Sequence, residues 1–380
     1  MRAGTSALLL GAFALCATSV AAQPKKVIEF GWDEPDTAFM LSHTAAMEQA
    51  PFDGTVFRIA YADADGARGK FTNECWGRRA FTTAELRRAA DELARTRFQR
   101  FTDNFLRFNV QPGDVDWFDD FGAILNNARQ AGRIAHAGRA RGILFDVEQY
   151  DRPLFEYRRQ RYAARKSWDE YATQARQRGR EVMEAFHRGF GDGLVVFLTF
   201  GLSMPQSESG GDVAKLPDCQ YGLLQPFLDG MIDAARPGVK LVDGYEMSYG
   251  CRLPRKFADA ARKVRSGMQP FVTDPVKYRD TVSLAFGLWL DYQWARHGWN
   301  VTDPAVNYFT PDGFEQSLRA ALEAADDYVW VYSETPRWWS KSGRVKLPDE
   351  YVRAIERARA STRAPQVTWA TTSMSGSSEK

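Results

Sequence analysis

Asp146 and Glu148 stand two residues apart at the end of a short apolar run, Gly142-Ile143-Leu144-Phe145-Asp146-Val147-Glu148-Gln149-Tyr150. Side chains alternate along an extended chain, so both carboxyls share the face of Leu144. Acids this close repel each other's charge, which holds one of them protonated toward neutral pH. That is the chemistry of proton donation to a leaving group. More acids follow other β-branched and aromatic runs: Asp33 and Glu34, then Glu246, Asp291 and Glu334. Arg107 and Asn109 sit on another such run. Trp32, Tyr249, Trp289, Trp330, Tyr332 and the adjacent pair Trp338-Trp339 fall at or just beyond run ends, where flat rings would offer stacking faces to a sugar.

To converge, these groups need a scaffold that brings many strand ends together. Strands are expected over 27–32, 55–61, 104–110, 142–146, 194–200, 240–246, 283–290 and 328–333. Helical periodicity falls near 36–50, 82–97, 117–137, 166–189, 221–235, 254–267, 312–326 and 348–361. Eight strands alternating with eight helices imply an α/β fold, a single-domain (β/α)8 TIM barrel, with its chemistry at the carboxyl ends of the strands. Five of the eight expected strand ends then bear carboxylates.

The chain has 380 residues, is 44% hydrophobic and 26% charged, and carries a net charge of +2. Those values exclude a disordered chain and a polyanion binder acting through bulk charge, so no nucleic-acid partner is expected. The aromatic share, 13% with 11 tryptophans, is high enough to need either a large core or a ligand wall. Arg2, the apolar stretch 7–15 and the small residues ending at Ala22 form a cleavable signal peptide, too short to span a bilayer. The layout is then 1–22 signal, 23–361 barrel and 362–380 disordered tail, in a secreted or periplasmic monomer without membrane insertion. Cys75, Cys219 and Cys251 allow at most one bridge, with Cys219–Cys251 among the possible pairs. His43, His136, His187 and His297 are scattered, so neither a metal nor another cofactor is expected.

The fourth strand, ending Asp146-Val147-Glu148, resembles that of the chitinase-type sugar hydrolases, in which an Asp-x-Glu ends the strand and its Glu donates the proton. The sixth, ending Tyr245-Glu246-Met247-Ser248-Tyr249, and the eighth, around Trp330, are similar in character to that family's sixth and eighth. Ile143-Leu144 stand where that pattern carries further Asp residues, and Glu246 replaces an expected Asp. The likeness is to secreted (β/α)8 glycoside hydrolases as a group, with no exact family assigned. It implies a carbohydrate substrate and Glu148 as the acid. Hydrolysis needs a second carboxyl as nucleophile or base. Glu246 is the first candidate, with Glu334 and Asp291 as rivals and Asp146 tuning Glu148. Asp33, Trp32, Arg107, Asn109, Tyr249, Trp289, Trp330, Tyr332, Trp338 and Trp339 are the expected substrate contacts. Trp117, Trp168 and Trp294, within helical segments, are expected in the core. A non-catalytic carbohydrate-binding barrel and a polysaccharide lyase are the alternatives, the latter disfavoured by the lack of a strand-end His. A basic cluster from Arg152 to Lys166 reads as a solvated face.

Overall fold

The computed structural model describes residues 24–150 and 152–363. The expected signal segment and nearly all of the expected tail lie outside the described residues.

Eight parallel strand positions form a ring. They are β1 (Lys26–Gly31), β2 (Gly54–Phe57), β3 (Phe105–Asn109), β4 (Gly142–Asp146), β5 (Val195–Leu198), β6 (Lys240–Asp243), β7 in two pieces (Val282–Leu284 and Phe286–Trp289) and β8 (Tyr328–Ser333). Each strand pairs in parallel with the next, and β8 returns to β1 over six register pairs, from Lys26 opposite Tyr328 to Gly31 opposite Ser333. The first piece of β7 pairs with β6 and the second with β8. Ala285 separates the two pieces but keeps the ring closed, since its N–H donates to the Asp243 carbonyl at 2.8 Å. Around the ring run α1 (Thr37–Met47), α2 (Arg87–Arg95), α3 (Gly122–Ala137), α4 (Trp168–Phe190), α5 (Leu224–Ala234), α6 (Pro254–Gly267), α7 (Pro311–Ala324) and α8 (Asp349–Arg363). This is the (β/α)8 barrel that the alternation implies.

Strand periodicity sorts the apolar residues into two layers. Ile28, Phe30, Val56, Phe105, Leu144, Phe197, Tyr328 and Trp330 point inward and fill the barrel. The Phe105, Phe197 and Tyr328 rings meet edge to face with centroids 5.4–5.7 Å apart, a favoured aromatic geometry. Val27, Ile143, Phe145 and Val196, one residue out of phase, pack on the helices together with Phe186 of α4 and Phe227 of α5. Helix starts follow side-chain chemistry. Ser167 and Glu170 form a reciprocal capping box on α4, Asp36 caps α1, and Thr310 caps α7 ahead of Pro311.

The second and sixth strands are shorter than the sequence implies. β2 stops at Phe57, and Ala60–Ala62 instead pairs antiparallel with Arg68–Lys70 in a small hairpin outside the barrel. β6 stops at Asp243 because the chain turns sharply there. A Cβ on Gly244 would lie 2.2 Å from the Leu198 carbonyl oxygen, and Tyr245 takes φ of 43°, in the left-handed region. The three cysteines are free thiols, and burial pushes Cys75 up to about 12.

Candidate active site

A cavity of about 390 Å3 opens at the carboxyl ends of the strands. β4 delivers Asp146 and Glu148 into it on the inward phase set by Leu144. Asp146 is 1% exposed and anchors the site. Its Oδ2 accepts from Arg107 Nη2 at 2.7 Å and Nε at 3.2 Å, while its Oδ1 accepts the Glu148 backbone N–H at 3.1 Å. Arg107, on the inward face of β3, also reaches Glu34 Oε2 at 3.4 Å and lies 5.3 Å from the centre of the Phe30 ring. Burial works against the Arg107 charge, but Asp146 and then Glu34 outweigh it, and the guanidinium is held protonated.

Glu148 is half-buried, and its Oε2 accepts from the Tyr150 hydroxyl at 2.5 Å. Burial, then the Asp146 charge, raises its pKa above the ordinary carboxylate value. Two strand positions on from β4, the turn after β6 carries Glu246 into the same cavity. Ser248 staples that turn to β7, its hydroxyl donating to the carbonyls of Tyr245 and Gly287, both at 2.8 Å. Glu246 Oε2 is buried without a hydrogen-bond partner. Burial, then the charges of Glu148 and Asp146, push the Glu246 carboxyl up to about 8. The cavity therefore holds two carboxyls whose pKa values are both raised by burial and by neighbouring carboxylates.

The rest of the wall is aromatic. Tyr249 stacks on Tyr332 at 5.4 Å and 19°, and Trp289 meets both edge-on. Trp32 is 60% exposed at the rim, its Nε1 donating to the Tyr332 hydroxyl at 2.8 Å. Glu334 closes the far side; its Oε1 accepts from Tyr332 at 3.2 Å and its Oε2 from Trp294 Nε1 at 2.5 Å.

No family model matches the sequence, and no curated protein matches it. Four solved structures similar to it share 11–12% identity with it. One is a psychrophilic glycoside hydrolase family 10 endo-β-1,4-xylanase (11% identity, 88% of this chain and 96% of that one, TM-score 0.41). Another is a putative chitinase A from Streptomyces coelicolor (11% identity, 89% and 99%, TM-score 0.41). A third is the β-glucosidase 1317 (12% identity, 85% and 88%, TM-score 0.43). The barrel stands on its own hydrogen-bonded ring, and the chemistry rests on the side chains in the cavity.

Nine of the expected site residues wall the cavity: Asp146, Glu148, Glu246, Glu334, Trp32, Arg107, Tyr249, Trp289 and Tyr332. Six others do not. Asp291 is 2% exposed and spends its carboxylate on the backbone N–H groups of Glu334 and Thr335 and on Trp289 Nε1, so it shapes the rim. Asn109 turns back onto Gln111. Trp330 lies beneath the floor, donating to the Gly244 carbonyl at 2.7 Å. Trp338 and Trp339, expected as a substrate wall, are 3% and 4% exposed and pack edge-on to Phe52 and at a tilt to Phe101. Asp33 holds their loop, its carboxylate accepting the Trp338 N–H at 2.6 Å and its backbone carbonyl accepting from Trp339 Nε1 at 2.9 Å. Their faces are covered by protein and have none to offer a ligand. Trp294, expected in the core, is instead 37% exposed and reaches Glu334. Thr199 and Tyr150 also wall the cavity and were not singled out. Continuing the period of two from Val195 and Phe197, and from Asp146 and Glu148, leads to them. Among the described residues no group of three or more His, Cys, Asp or Glu is placed to hold a metal, and no helix is long and apolar enough to cross a membrane.

Proposed function

We propose that the protein is a glycoside hydrolase in which Glu246 donates the proton to the departing glycosidic oxygen, while Glu148 acts from the other side of the bond as nucleophile or as base for water. This exchanges the roles that the chitinase-type resemblance implies. The observation carrying the reading is the convergence of Glu148 and Glu246 in one aromatic-walled cavity at the barrel mouth. Burial and the neighbouring charges push the Glu246 carboxyl up to about 8, which suits the donor, since it must hold its proton until the bond breaks. Glu148 receives the Tyr150 hydroxyl and lies near Arg107, and both favour its ionised form. The apolar leader 7–15 supports an exported enzyme.

The test is a panel of aryl glycosides given to Glu246→Ala and Glu148→Ala. Glu246→Ala is expected to keep hydrolysing dinitrophenyl glycosides, whose leaving group needs no proton, and to lose about a hundred- to ten-thousand-fold on ordinary linkages. Glu148→Ala is expected to fail on both, with azide restoring turnover if it is the nucleophile. Exchanged behaviour would reverse the roles, and a wild-type protein that releases no product from any glycoside would end the reading.

A further inference from the structure

We propose that the sugar accepted by this cavity carries a free amino group, whose ammonium is received by the Glu334 carboxylate; the inference rests on the hydrolase reading above. The cavity wall presents four acidic side chains, Asp146, Glu148, Glu246 and Glu334, and one cation, Arg107. That cation is already engaged by Asp146 at 2.7 Å and by Glu34 at 3.4 Å. Hydrolysis uses two of the four acids and Arg107 occupies a third, which leaves Glu334 in excess of what the reaction needs.

Glu334 is also oriented in a way that suits a ligand. Trp294 and Tyr332 donate one hydrogen bond to each of its oxygens, and both donors are neutral. No Lys, Arg or His among the described residues pairs with it. A carboxylate has room for about four donors, so two positions stay open. A second observation concerns the same cavity: Glu246 Oε2 is buried there without a hydrogen-bond partner, so a donor on the sugar has a further acceptor to meet beside Glu334. Trp32 and Trp289 wall the same cavity, and aromatic rings there suit an ammonium by cation–π attraction and a pyranose by stacking, although Trp32 already has Arg337 5.7 Å from its ring centre. A uronate or sulfated sugar would meet no unengaged cation in the cavity wall itself, Arg337 lying outside it over the Trp32 ring, and an N-acetylated sugar would bring no charge to Glu334. A bound ammonium would also favour the ionised form of Glu148, so the cognate substrate would help prepare the group that attacks it.

The test compares oligosaccharides of 2-amino-2-deoxyglucose and 2-amino-2-deoxygalactose with their N-acetylated forms and with glucuronate oligomers. Binding is followed by calorimetry and cleavage by new reducing ends, in wild type and in Glu334→Gln, with circular dichroism to check that the variant folds. The free-amine oligomers of one configuration are expected to bind at least about tenfold more tightly than their N-acetylated forms, and Glu334→Gln to erase about tenfold of that preference. Equal binding of the N-acetylated or uronate oligomers, or a preference that survives Glu334→Gln, overturns the proposal. The two readings separate cleanly. Glu334-dependent amine binding with no cleavage supports the recognition and removes the hydrolase. Cleavage of neutral glycans with no amine preference removes the recognition and keeps the hydrolase.

Discussion

Replacing Arg107 with Met removes the cation from the cavity while keeping most of its apolar stem. The Arg107, Asp146 and Glu34 side chains are 19%, 2% and 8% exposed, so the pair lies well inside the protein. Stripping one partner from a buried ion pair costs about 3–5 kcal/mol, because the other charge is left uncompensated. Arg58 remains 3.7 Å from Glu34 and softens the loss on that side, which places the expected cost near the lower figure, about 3 kcal/mol at pH 8. The sign with pH is fixed by Glu34. Burial already raises its pKa, and Arg107 is the largest influence holding it down. Without Arg107 the folded-state value climbs further above the unfolded one. The folded variant then binds more protons than its unfolded chain, and its deficit grows as pH rises. Urea unfolding at pH 5 and pH 8 should show a narrow gap at the lower pH and a wide one at the higher. Adding Asp146→Asn should recover part of it by removing one stranded charge. A gap under about 1 kcal/mol at pH 8, or an equal gap at both pH values, would refute the buried-pair account.

Two tryptophans at strand ends should behave oppositely. Trp32→Ala, at the exposed rim, is expected to raise KM about five- to tenfold and to change stability little, since an aromatic contact is worth about 0.5–1.5 kcal/mol. Trp339→Ala should cost about 3–5 kcal/mol in urea titrations, and a loss under about 1 kcal/mol would mean its site is not core. Glu29 is 0% exposed and accepts from Thr55 at 2.6 Å, and burial, then Asp33, raises its pKa well above the usual range. Its folded value exceeds its unfolded one, so the stability it contributes is present at acid pH and lost as pH rises, by about 1.4 kcal/mol per unit while only the unfolded chain is ionised. Glu29→Gln should flatten the fall in melting temperature between pH 5 and pH 9, and an unchanged slope would contradict its neutral state.

The barrel was legible because eight strand runs alternate with eight helical segments, the pattern of a helix-covered parallel sheet with the strand number of a (β/α)8 barrel, and the inward phase of Leu144, Asp146 and Glu148 followed from the pleat alone. Local pattern failed where distant contacts decide. Trp338 and Trp339 lie in turn-rich sequence that reads as surface, yet Phe52 and Phe101, far away in the chain, cover them. Trp294 sits in a helical pattern that survives as a single turn, Trp294–His297, and its indole turns to Glu334. Asp291 ends a strand as the cavity acids do, but neighbouring backbone N–H groups claim its carboxylate. Which strand-end acid titrates highest depends on burial and on charges from other strands, and neither is written in the local sequence.

The six-pair ladder between β1 and β8 joins the first strand of the barrel to be made on the ribosome to the last of the barrel. Until Ser333 has emerged, β1 has an unsatisfied edge. At about 5–20 residues per second, the roughly 300 residues between them take about 15–60 s to synthesise. An open parallel edge held that long invites pairing with other chains. The longest seam in the finished barrel is thus also its longest wait, and a chaperone or an unfolded export route would be most useful during that interval.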